Sequence, residues 1–146
     1  MTRIDFYVIA PTADGDASST IKDTAVCRLA QKAFANGHKI YIRTPDDITA
    51  QRLDTLLWTF SQGSFIPHAV HPADANEEYA VLIGNGEPPV EFNDILIQLA
   101  PAPPAGFDRF QRVLEVVGPA ENDKQRGRDR FRFYREHGYT PTTHTL

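Results

Sequence analysis

The sequence has few of the residues that stabilise small extracellular or membrane proteins. A single cysteine, Cys27, excludes an internal disulfide bond, and no spacing of cysteine and histidine matches a zinc site. No run of 18 apolar residues occurs, and the amino terminus lacks the apolar stretch and cleavage site of a secretory signal. These absences predict a cytoplasmic protein without a membrane partner, held together by an ordinary hydrophobic core.

Short catalytic and nucleotide-binding motifs are absent as well. There is no Gly-x-x-x-x-Gly-Lys-Ser/Thr phosphate loop, and the turn at residues 10–15 lacks the Gly-x-Gly-x-x-Gly cradle. Neither a Gly-x-Ser-x-Gly elbow nor a His-Glu-x-x-His pair is present. His68 and His71 could share a metal only with distant carboxylates. The sequence therefore predicts no catalytic residue, metal or cofactor, and an enzyme would need an unrecognised site.

Positive charge is concentrated near the carboxyl terminus. The chain has a net charge of −4, but residues 124–135 hold six Lys or Arg and one Asp, so the other 134 residues carry −9. A mainly acidic protein is a poor candidate for wrapping duplex DNA, because that binding relies on many phosphate contacts. A compact basic site instead suits a compact acidic partner.

Strand and helix patterns alternate along the chain, which indicates a single α/β domain over residues 1–146. Apolar and β-branched runs predict strands at residues 4–10, 39–43, 79–83, 95–99 and 112–117. Helical periodicity predicts helices from residue 20 to 36, from 45 to about 60 and from 121 to 137, with a helical turn at 107–111. We expect three layers around a mainly parallel central sheet.

Cap residues set the expected helix boundaries. Thr20-Ile21-Lys22-Asp23 matches a capping box, while Gly37 and Gly138 follow the last helical residues, where left-handed backbone commonly ends a helix. Cys27 lies beside Val26 in an apolar helical stripe. We expect it to be a small buried residue, with a reactive thiol as the alternative.

Trp58, the only tryptophan, is predicted to point away from the core. On a helical wheel centred on Leu53, three apolar residues lie within about 60°: Leu56, Leu57 and Phe60. Trp58 falls about 140° away. With Phe65 it could anchor a partner chain, since exposed aromatic residues are enriched at interface centres. The alternative is that the irregular stretch 61–78 covers the ring.

The last predicted helix carries a stripe of cations with an aromatic flank. The four cations lie within about 80° of one another on the wheel: Lys124, Arg128, Arg132 and Arg135. Phe131 and Tyr134 lie beside them. An arginine forks a carboxylate with two parallel hydrogen bonds, and an aromatic ring can wall an apolar pocket next to it. The stripe suits an acidic, carboxylate-ended peptide, with a plain solvated face as the alternative.

These features together resemble the chi subunit family of bacterial DNA polymerase III holoenzyme, an accessory protein of the clamp loader. The resemblance covers nearly the whole chain. It rests on Phe6-Tyr7-Val8, Cys27-Arg28-Leu29-Ala30, Leu53-Asp54-x-x-Leu57-Trp58, Ser64-Phe65-Ile66-Pro67-His68, Asp94-Ile95-Leu96-Ile97, Phe107 through Phe110, Val113 to Val117, and Arg128 through Gly138-Tyr139.

The resemblance implies a Rossmann-like α/β fold without a nucleotide-binding glycine motif, in agreement with the absence of that motif from the sequence. It also implies a non-catalytic adaptor with two protein partners. The psi subunit of the clamp loader would bind around Trp58 and Phe65. The acidic, phenylalanine-terminated tail of single-stranded DNA-binding protein would bind the last helix, which gives an indirect association with single-stranded DNA. The residues implied for the tail are Arg128 for the terminal carboxylate, Phe131 and Tyr134 for the pocket wall, Lys124 and Arg132 for the aspartates, and Gly138 for the adjoining turn.

Some alternatives remain at this point. The link Gly118-Pro119-Ala120 looks shorter than in better-known members of the family and would form part of the pocket rim, which puts the apolar rim contact in question. An α/β enzyme or small-molecule-binding domain would show convergent polar residues near Pro11, Thr44 and Gly84, at strand carboxyl ends. A weak direct binder of single-stranded DNA would need a longer basic groove with stacking aromatic residues.

Overall fold

The computed structural model describes residues 1–10, 19–60, 65–72 and 78–146. Within these ranges the strands are β1 (Arg3–Val8), β2 (Ile40–Arg43), β3 (His68–Val70), β4 (Val81–Gly84), β5 (Ile95–Gln98), β6 (Arg112–Val117) and β7 (Thr142–Thr145). The helices are α1 (Ser19–Ala35), α2 (Asp47–Thr59) and α3 (Glu121–Glu136), with a 3₁₀ turn at Phe107–Arg109. The predicted turn at 10–15 falls largely outside the described residues.

The described strands form one sheet in the order β3-β4-β2-β5-β6-β1-β7. Every neighbouring pair is parallel. Strand β2 is central, with Ile40 opposite Val81 of β4 and Ile95 of β5. Central strands of a parallel sheet are buried on both faces, which explains why they are continuous apolar runs. The mainly parallel sheet is confirmed.

Helices cover both faces of the sheet. Along β2, Ile40 and Ile42 join the core beneath α1 and α2, while Tyr41 joins the core beneath α3. This alternation follows from the two-residue period of a strand. The predicted three-layer α/β fold is therefore confirmed. No helix in the described part of the chain is long and apolar enough to cross a lipid bilayer.

Glycine ends two of the helices at the predicted positions. Gly37 after α1 and Gly138 after α3 have φ of 83° and 89°. Beyond α3, the amide of Gly138 donates to Arg135 O at 3.1 Å and the amide of Tyr139 donates to Tyr134 O at 3.0 Å. These two bonds form a Schellman motif, which satisfies carbonyls at the helix end. The capping box predicted at Thr20 depends on a side chain outside the described part of the structure.

Two strands of the sheet were not predicted from the sequence. The prediction treated residues 65–78 as a connection and placed no strand after the last helix, but β3 and β7 form the two edges of the sheet. β3 has only three residues, and β7 reads Thr-Thr-His-Thr without an aliphatic side chain. An edge strand pairs on one side only, so it lacks the apolar run that identifies a central strand.

Cys27 is a residue of α1 and is fully buried, as predicted. Burial, with a smaller contribution from the nearby Asp23 carboxylate, raises the pKa of its thiol to about 12. The thiolate is the reactive form of cysteine, so this residue has a packing role.

Candidate functional site

Trp58 and Phe65 form an exposed aromatic patch on the α2 side of the molecule. The Trp58 side chain is 54% exposed and the Phe65 side chain 67%, and their ring centroids are 5.8 Å apart. On the opposite side of α2, Ala50, Leu53 and Leu57 are buried. The predicted orientation of Trp58 away from the core is therefore confirmed. The described part of the stretch 61–78 leaves more than half of the ring uncovered.

His68 supports this patch from beneath. Its ring centroid lies 4.5 Å from that of Trp58, and its side chain is buried. The Nδ1 atom is 2.7 Å from Ile66 O and the Nε2 atom is 2.9 Å from Asp54 O. With both ring nitrogens facing backbone carbonyls, His68 is placed as a structural residue. Among the described residues, no group of three or more His, Cys, Asp or Glu is arranged to hold a metal.

A second surface lies between α3 and the β7 edge of the sheet, on the opposite face. A cavity of about 310 Å³ opens here, and we call it the α3 groove. Its lining consists of Phe6, Val8, Val117, Lys124, Gly127, Arg128, Phe131 and Thr143. The walls are largely apolar, and the two cations come from successive turns of α3. An apolar cavity with a few convergent polar groups is the usual form of a ligand pocket.

The close approach of α3 to the sheet depends on Gly127. A Cβ atom at this position would lie 2.8 Å from Cγ2 of Val117, well inside van der Waals contact. Gly127 therefore lets the helix pack directly on β6, and this contact sets the depth of the α3 groove. A glycine inside a helix costs about 1 kcal/mol relative to alanine, so its presence here has a packing reason.

Gly127→Ala should lower the free energy of unfolding by about 1–2 kcal/mol, since overpacking outweighs the gain in helix propensity. It should also lower the affinity of any ligand for the α3 groove, because α3 must move away from Val117. Urea denaturation and peptide titration measure the two effects. Gly86→Ala is the matched control, since a Cβ there meets no atom within 4 Å. A Gly127→Ala protein that is more stable and binds normally would contradict this packing role.

The cations of α3 are available to a ligand. The Arg128 side chain is 58% exposed, its Nη2 atom lies 3.9 Å from a Glu121 carboxylate oxygen, and its Nη1 atom donates to Gln125 at 3.1 Å. Such exposed contacts contribute little and are easily exchanged. An adjoining cavity of about 480 Å³ shares Arg128 and Phe131 with the α3 groove. Its full lining is Arg128, Phe131, Arg132, Arg135 and Glu136. The structure therefore gathers the predicted cation stripe along one surface.

Tyr134 lies behind this surface and does not line the α3 groove. It is completely buried, and its hydroxyl donates to Glu115 Oε2 at 2.6 Å. Its ring meets Phe6 edge-on at 6.0 Å, and Phe6 in turn lies 5.2 Å from Phe131. Tyr134 thus supports the aromatic wall from the core side. Burial and the neighbouring Glu115 raise the pKa of the Tyr134 hydroxyl, which keeps it a donor.

A buried ion pair fixes α3 to the sheet. Arg130 Nε donates to Glu115 Oε1 at 2.7 Å, and both side chains are buried. Burial raises the pKa of Glu115, although the charge of Arg130 and the hydrogen bond from Tyr134 oppose that rise. In the sequence, Arg130 is one of the six Lys or Arg of residues 124–135, but it is not part of the predicted cation stripe. Its wheel position, about 240° from Lys124 and close to Tyr134, was the signal that it faces the core.

The link between β6 and α3 is held by contacts with the first turn of α3 and with α1. The amide of Gly118 donates to Asp123 Oδ2 at 2.6 Å, and Lys22 Nζ of α1 lies 2.8 Å from the same oxygen. Among the described residues, Val117 at the end of β6 lines the α3 groove, and residues 118–120 do not. Gly138 makes the predicted turn at the other end of the helix.

The aromatic patch and the α3 groove lie far apart. The patch adjoins β3 at one edge of the sheet, and the groove includes β1 and β7 at the other edge. Neighbouring strands are about 4.8 Å apart, so the two edges are separated by roughly 30 Å. The surfaces also lie on opposite faces, because α2 and α3 pack on different sides of the sheet. Two macromolecules could therefore bind at the same time.

Comparison with known proteins identifies a family. Residues 1–142 match the family described as DNA polymerase III chi subunit, HolC. The chain is 42% identical to the DNA polymerase III subunit chi of Pseudomonas aeruginosa over 146 residues, covering 100% of this chain and 98% of that protein. It is 28% identical to the protein of the same name from Escherichia coli, covering 99% of each chain. A third relative of that name, from Haemophilus influenzae, is 22% identical, covering 97% and 95%.

Proposed function

The chain belongs to the DNA polymerase III chi subunit family, and on that basis we propose that it is a non-catalytic replication adaptor. It joins the clamp loader, through the psi subunit, to the acidic C-terminal tail of single-stranded DNA-binding protein. Its association with single-stranded DNA is then indirect, through the protein that coats the strand. The observation that carries this proposal is the presence of two chemically different surfaces, the aromatic patch and the α3 groove, at opposite edges of one sheet.

The α3 groove has the chemistry to bind the phenylalanine-terminated tail. Its volume of about 310 Å³ is at the small end of ligand pockets, which suits one aromatic side chain. Phe131 supplies an aromatic wall, and Arg128 lies at the rim. A guanidinium there can donate two parallel hydrogen bonds to the terminal carboxylate. The ring and the carboxylate of one terminal residue would thus be bound together.

Two further cations flank this position. Lys124 belongs to the α3 groove and Arg132 to the adjoining cavity, so cations continue along the helix on both sides of Arg128. Aspartates upstream of the terminal phenylalanine would be attracted to them through solvent. Attraction of this kind raises the association rate and is screened by salt.

The aromatic patch has different chemistry and suits a different partner. Trp58 and Phe65 contact each other through their rings, and Trp58 rests on the buried ring of His68. A fixed, exposed tryptophan is a common interface anchor, because it buries a large area with little loss of side-chain freedom. We assign psi binding to this patch.

Titration of the full chain with two ligands of equal charge tests the adaptor function. One ligand is an acidic peptide of about nine residues that ends in phenylalanine, and the other is a short single-stranded oligonucleotide. The peptide should bind and the oligonucleotide should not. Preferential binding of the oligonucleotide would favour a direct DNA binder. If neither binds, the tail assignment is wrong and an unrecognised small-molecule site becomes the leading alternative.

Trp58→Ala should weaken association with the psi subunit at least tenfold and leave peptide binding at the α3 groove unchanged. The reason is that the exposed ring acts as an anchor of the interface and contributes little to the packing of the core. Calorimetric titration with psi measures the effect. Ile48→Ala is the matched control, since Ile48 is an apolar residue of α2 that is 77% exposed near the other end of the helix. Unfolding of Trp58→Ala would instead identify the ring as a core residue.

A further inference from the structure

Among the residues that the structure describes, the α1 face of the sheet is incompletely covered near its β7 edge. Helix α1 packs over β2, β5 and β6, while β1 and β7 lie beyond it in the sheet order. A cavity of about 630 Å³ separates α1 from the ends of these two strands, and a second one of about 300 Å³ adjoins it. The two cavities share Tyr7, Leu29 and Lys32, and we call the continuous depression the α1 groove.

One half of the α1 groove is apolar. Its lining includes Ile9, Ile21, Ala25, Leu29 and Leu146. Ile21, Ala25 and Leu29 are partly buried residues that pack against the core on one side and face the cavity on the other. The Leu146 side chain is exposed. An apolar floor flanked by a helix and a strand edge has the form of a surface that receives another secondary-structure element.

Cations border this apolar floor. Arg28 and Lys32 are exposed and lie one turn apart on α1, and Arg3 and Arg112 line the far end. Asp94 is the acidic residue in the lining of the two cavities. Among the described lining residues, cations therefore outnumber acidic residues, which makes this border a second local excess of positive charge.

Asp5 neutralises part of that charge, but only at the far end. It is buried, and it accepts hydrogen bonds from Arg112 at 2.7 Å and His144 at 2.9 Å, with Arg3 Nε at 3.1 Å. Burial alone would raise the pKa of Asp5, but the bonds from His144 and Arg112 outweigh it and hold the pKa below its ordinary value. Arg28 makes no ion pair with the residues that the structure describes, and neither does Lys32.

We propose that the α1 groove is a docking site for an acidic amphipathic helix of a partner protein. The apolar side of that helix would cover the floor at Ala25 and Leu29 and complete the helical layer over β1 and β7. Its carboxylates would lie opposite Arg28 and Lys32, which are spaced as helix neighbours. Helix-in-groove recognition of this kind combines apolar anchors with charge complementarity at the rim. The site is separate from the α3 groove, which lies on the other face of the sheet.

The test uses a synthetic peptide of about fifteen residues, long enough to form a helix, with leucines on one face and glutamates beside them. Arg28→Glu and Lys32→Glu, made in the full chain, should each weaken its binding at least fivefold, measured by fluorescence anisotropy. Arg126→Glu is the matched control, because it makes the same change of charge at an exposed position of α3 that lines neither groove. Amide chemical shifts of the wild type should change around Ala25 and Leu29.

Several results would overturn the proposal. If Arg28→Glu and Arg126→Glu bind the peptide equally well, the cations of the α1 groove do not contribute to binding. The same conclusion would follow if a peptide with lysines in place of the glutamates bound with equal affinity. Identical shift changes caused by inorganic phosphate alone would indicate a small-anion site that does not use the apolar floor. Self-association of the wild type that Arg28→Glu abolishes would assign the groove to a second copy of the chain. Loss of binding in Arg128→Ala, with Arg28→Glu unaffected, would place the peptide in the α3 groove.

Discussion

Arg130→Ala should lower the free energy of unfolding by about 3–5 kcal/mol, because it leaves the carboxylate of Glu115 buried without its cation. Arg130 is 3% exposed, and its Nε atom donates to Glu115 at 2.7 Å. The hydroxyl of Tyr134, 2.6 Å from the other carboxylate oxygen, would remain as a donor from α3. Urea denaturation near neutral pH measures the loss. Because this pair fixes α3 to β6, peptide binding at the α3 groove should weaken as well.

The loss should depend on pH in a defined direction. Burial already raises the pKa of Glu115 above its ordinary value of 4.5, and removal of Arg130 deletes a charge that opposes the rise. A carboxyl group whose pKa is higher in the folded than in the unfolded state favours folding below its unfolded pKa. That contribution disappears as pH rises through the folded pKa. Arg130→Ala should therefore approach the stability of the wild type as pH is lowered from neutral toward 4.5.

Arg126→Ala is the matched control for this effect. Arg126 lies on the same helix but is exposed, so its loss should change stability by no more than about 0.5 kcal/mol. A second control replaces both partners with apolar residues, as in Glu115→Leu/Arg130→Met. This change should recover much of the stability, because no buried charge is left unpaired. Equal costs for Arg126→Ala and Arg130→Ala would contradict a buried anchoring pair.

The central part of the fold was predictable because central strands are apolar along their whole length. Strand β6 has the predicted bounds of residues 112–117, and the glycines that end α1 and α3 stand where predicted. The edge strand β7 was not predictable from its Thr-Thr-His-Thr sequence. It forms because β1 offers an unpaired edge, and that edge exists only once the strand order of the sheet is established.

The same distinction applies to the candidate site. Helix periodicity alone orients Trp58 outward and aligns Lys124, Arg128 and Arg132, so these features could be predicted from local sequence. The opposite wall of the α3 groove could not. Phe6 and Thr143 are far apart in sequence and meet at the groove because β7 pairs with β1. A groove between two elements forms only when residues that are distant in sequence come together. A short sequence pattern does not contain that information.

Arg128→Ala should weaken the phenylalanine-terminated acidic peptide by roughly 2 kcal/mol or more, about thirtyfold, because it removes the cation at the rim of the α3 groove. Arg128 adjoins the apolar wall formed by Phe131. A carboxylate bound there would be partly desolvated, so its pairing with a guanidinium should exceed the contribution of an open surface pair. In the free protein Arg128 contacts Glu121 at 3.9 Å, an exposed pair that costs little to break. Calorimetric titration measures the change.

A chemical change in the ligand identifies which group Arg128 binds. Amidation of the peptide carboxyl terminus should reduce affinity by a similar amount, and the two losses should not add, because both remove one interaction. The four combinations of protein and peptide form a double-mutant cycle. Full additivity would mean that a cation other than Arg128 binds the carboxylate, and Arg132 in the adjoining cavity would be the first candidate.

Lys124→Ala is the comparison that separates a specific pocket from a diffuse basic surface. Lys124 carries the same charge as Arg128 and lines the same groove, but as a point charge that attracts upstream aspartates through solvent. Its loss should mainly slow association and reduce the dependence of binding on salt. The Arg128→Ala effect should persist at high salt, since a partly desolvated pair is screened less than an exposed one. If both substitutions weaken binding equally and both effects disappear at high salt, the cations of α3 act only through their summed field.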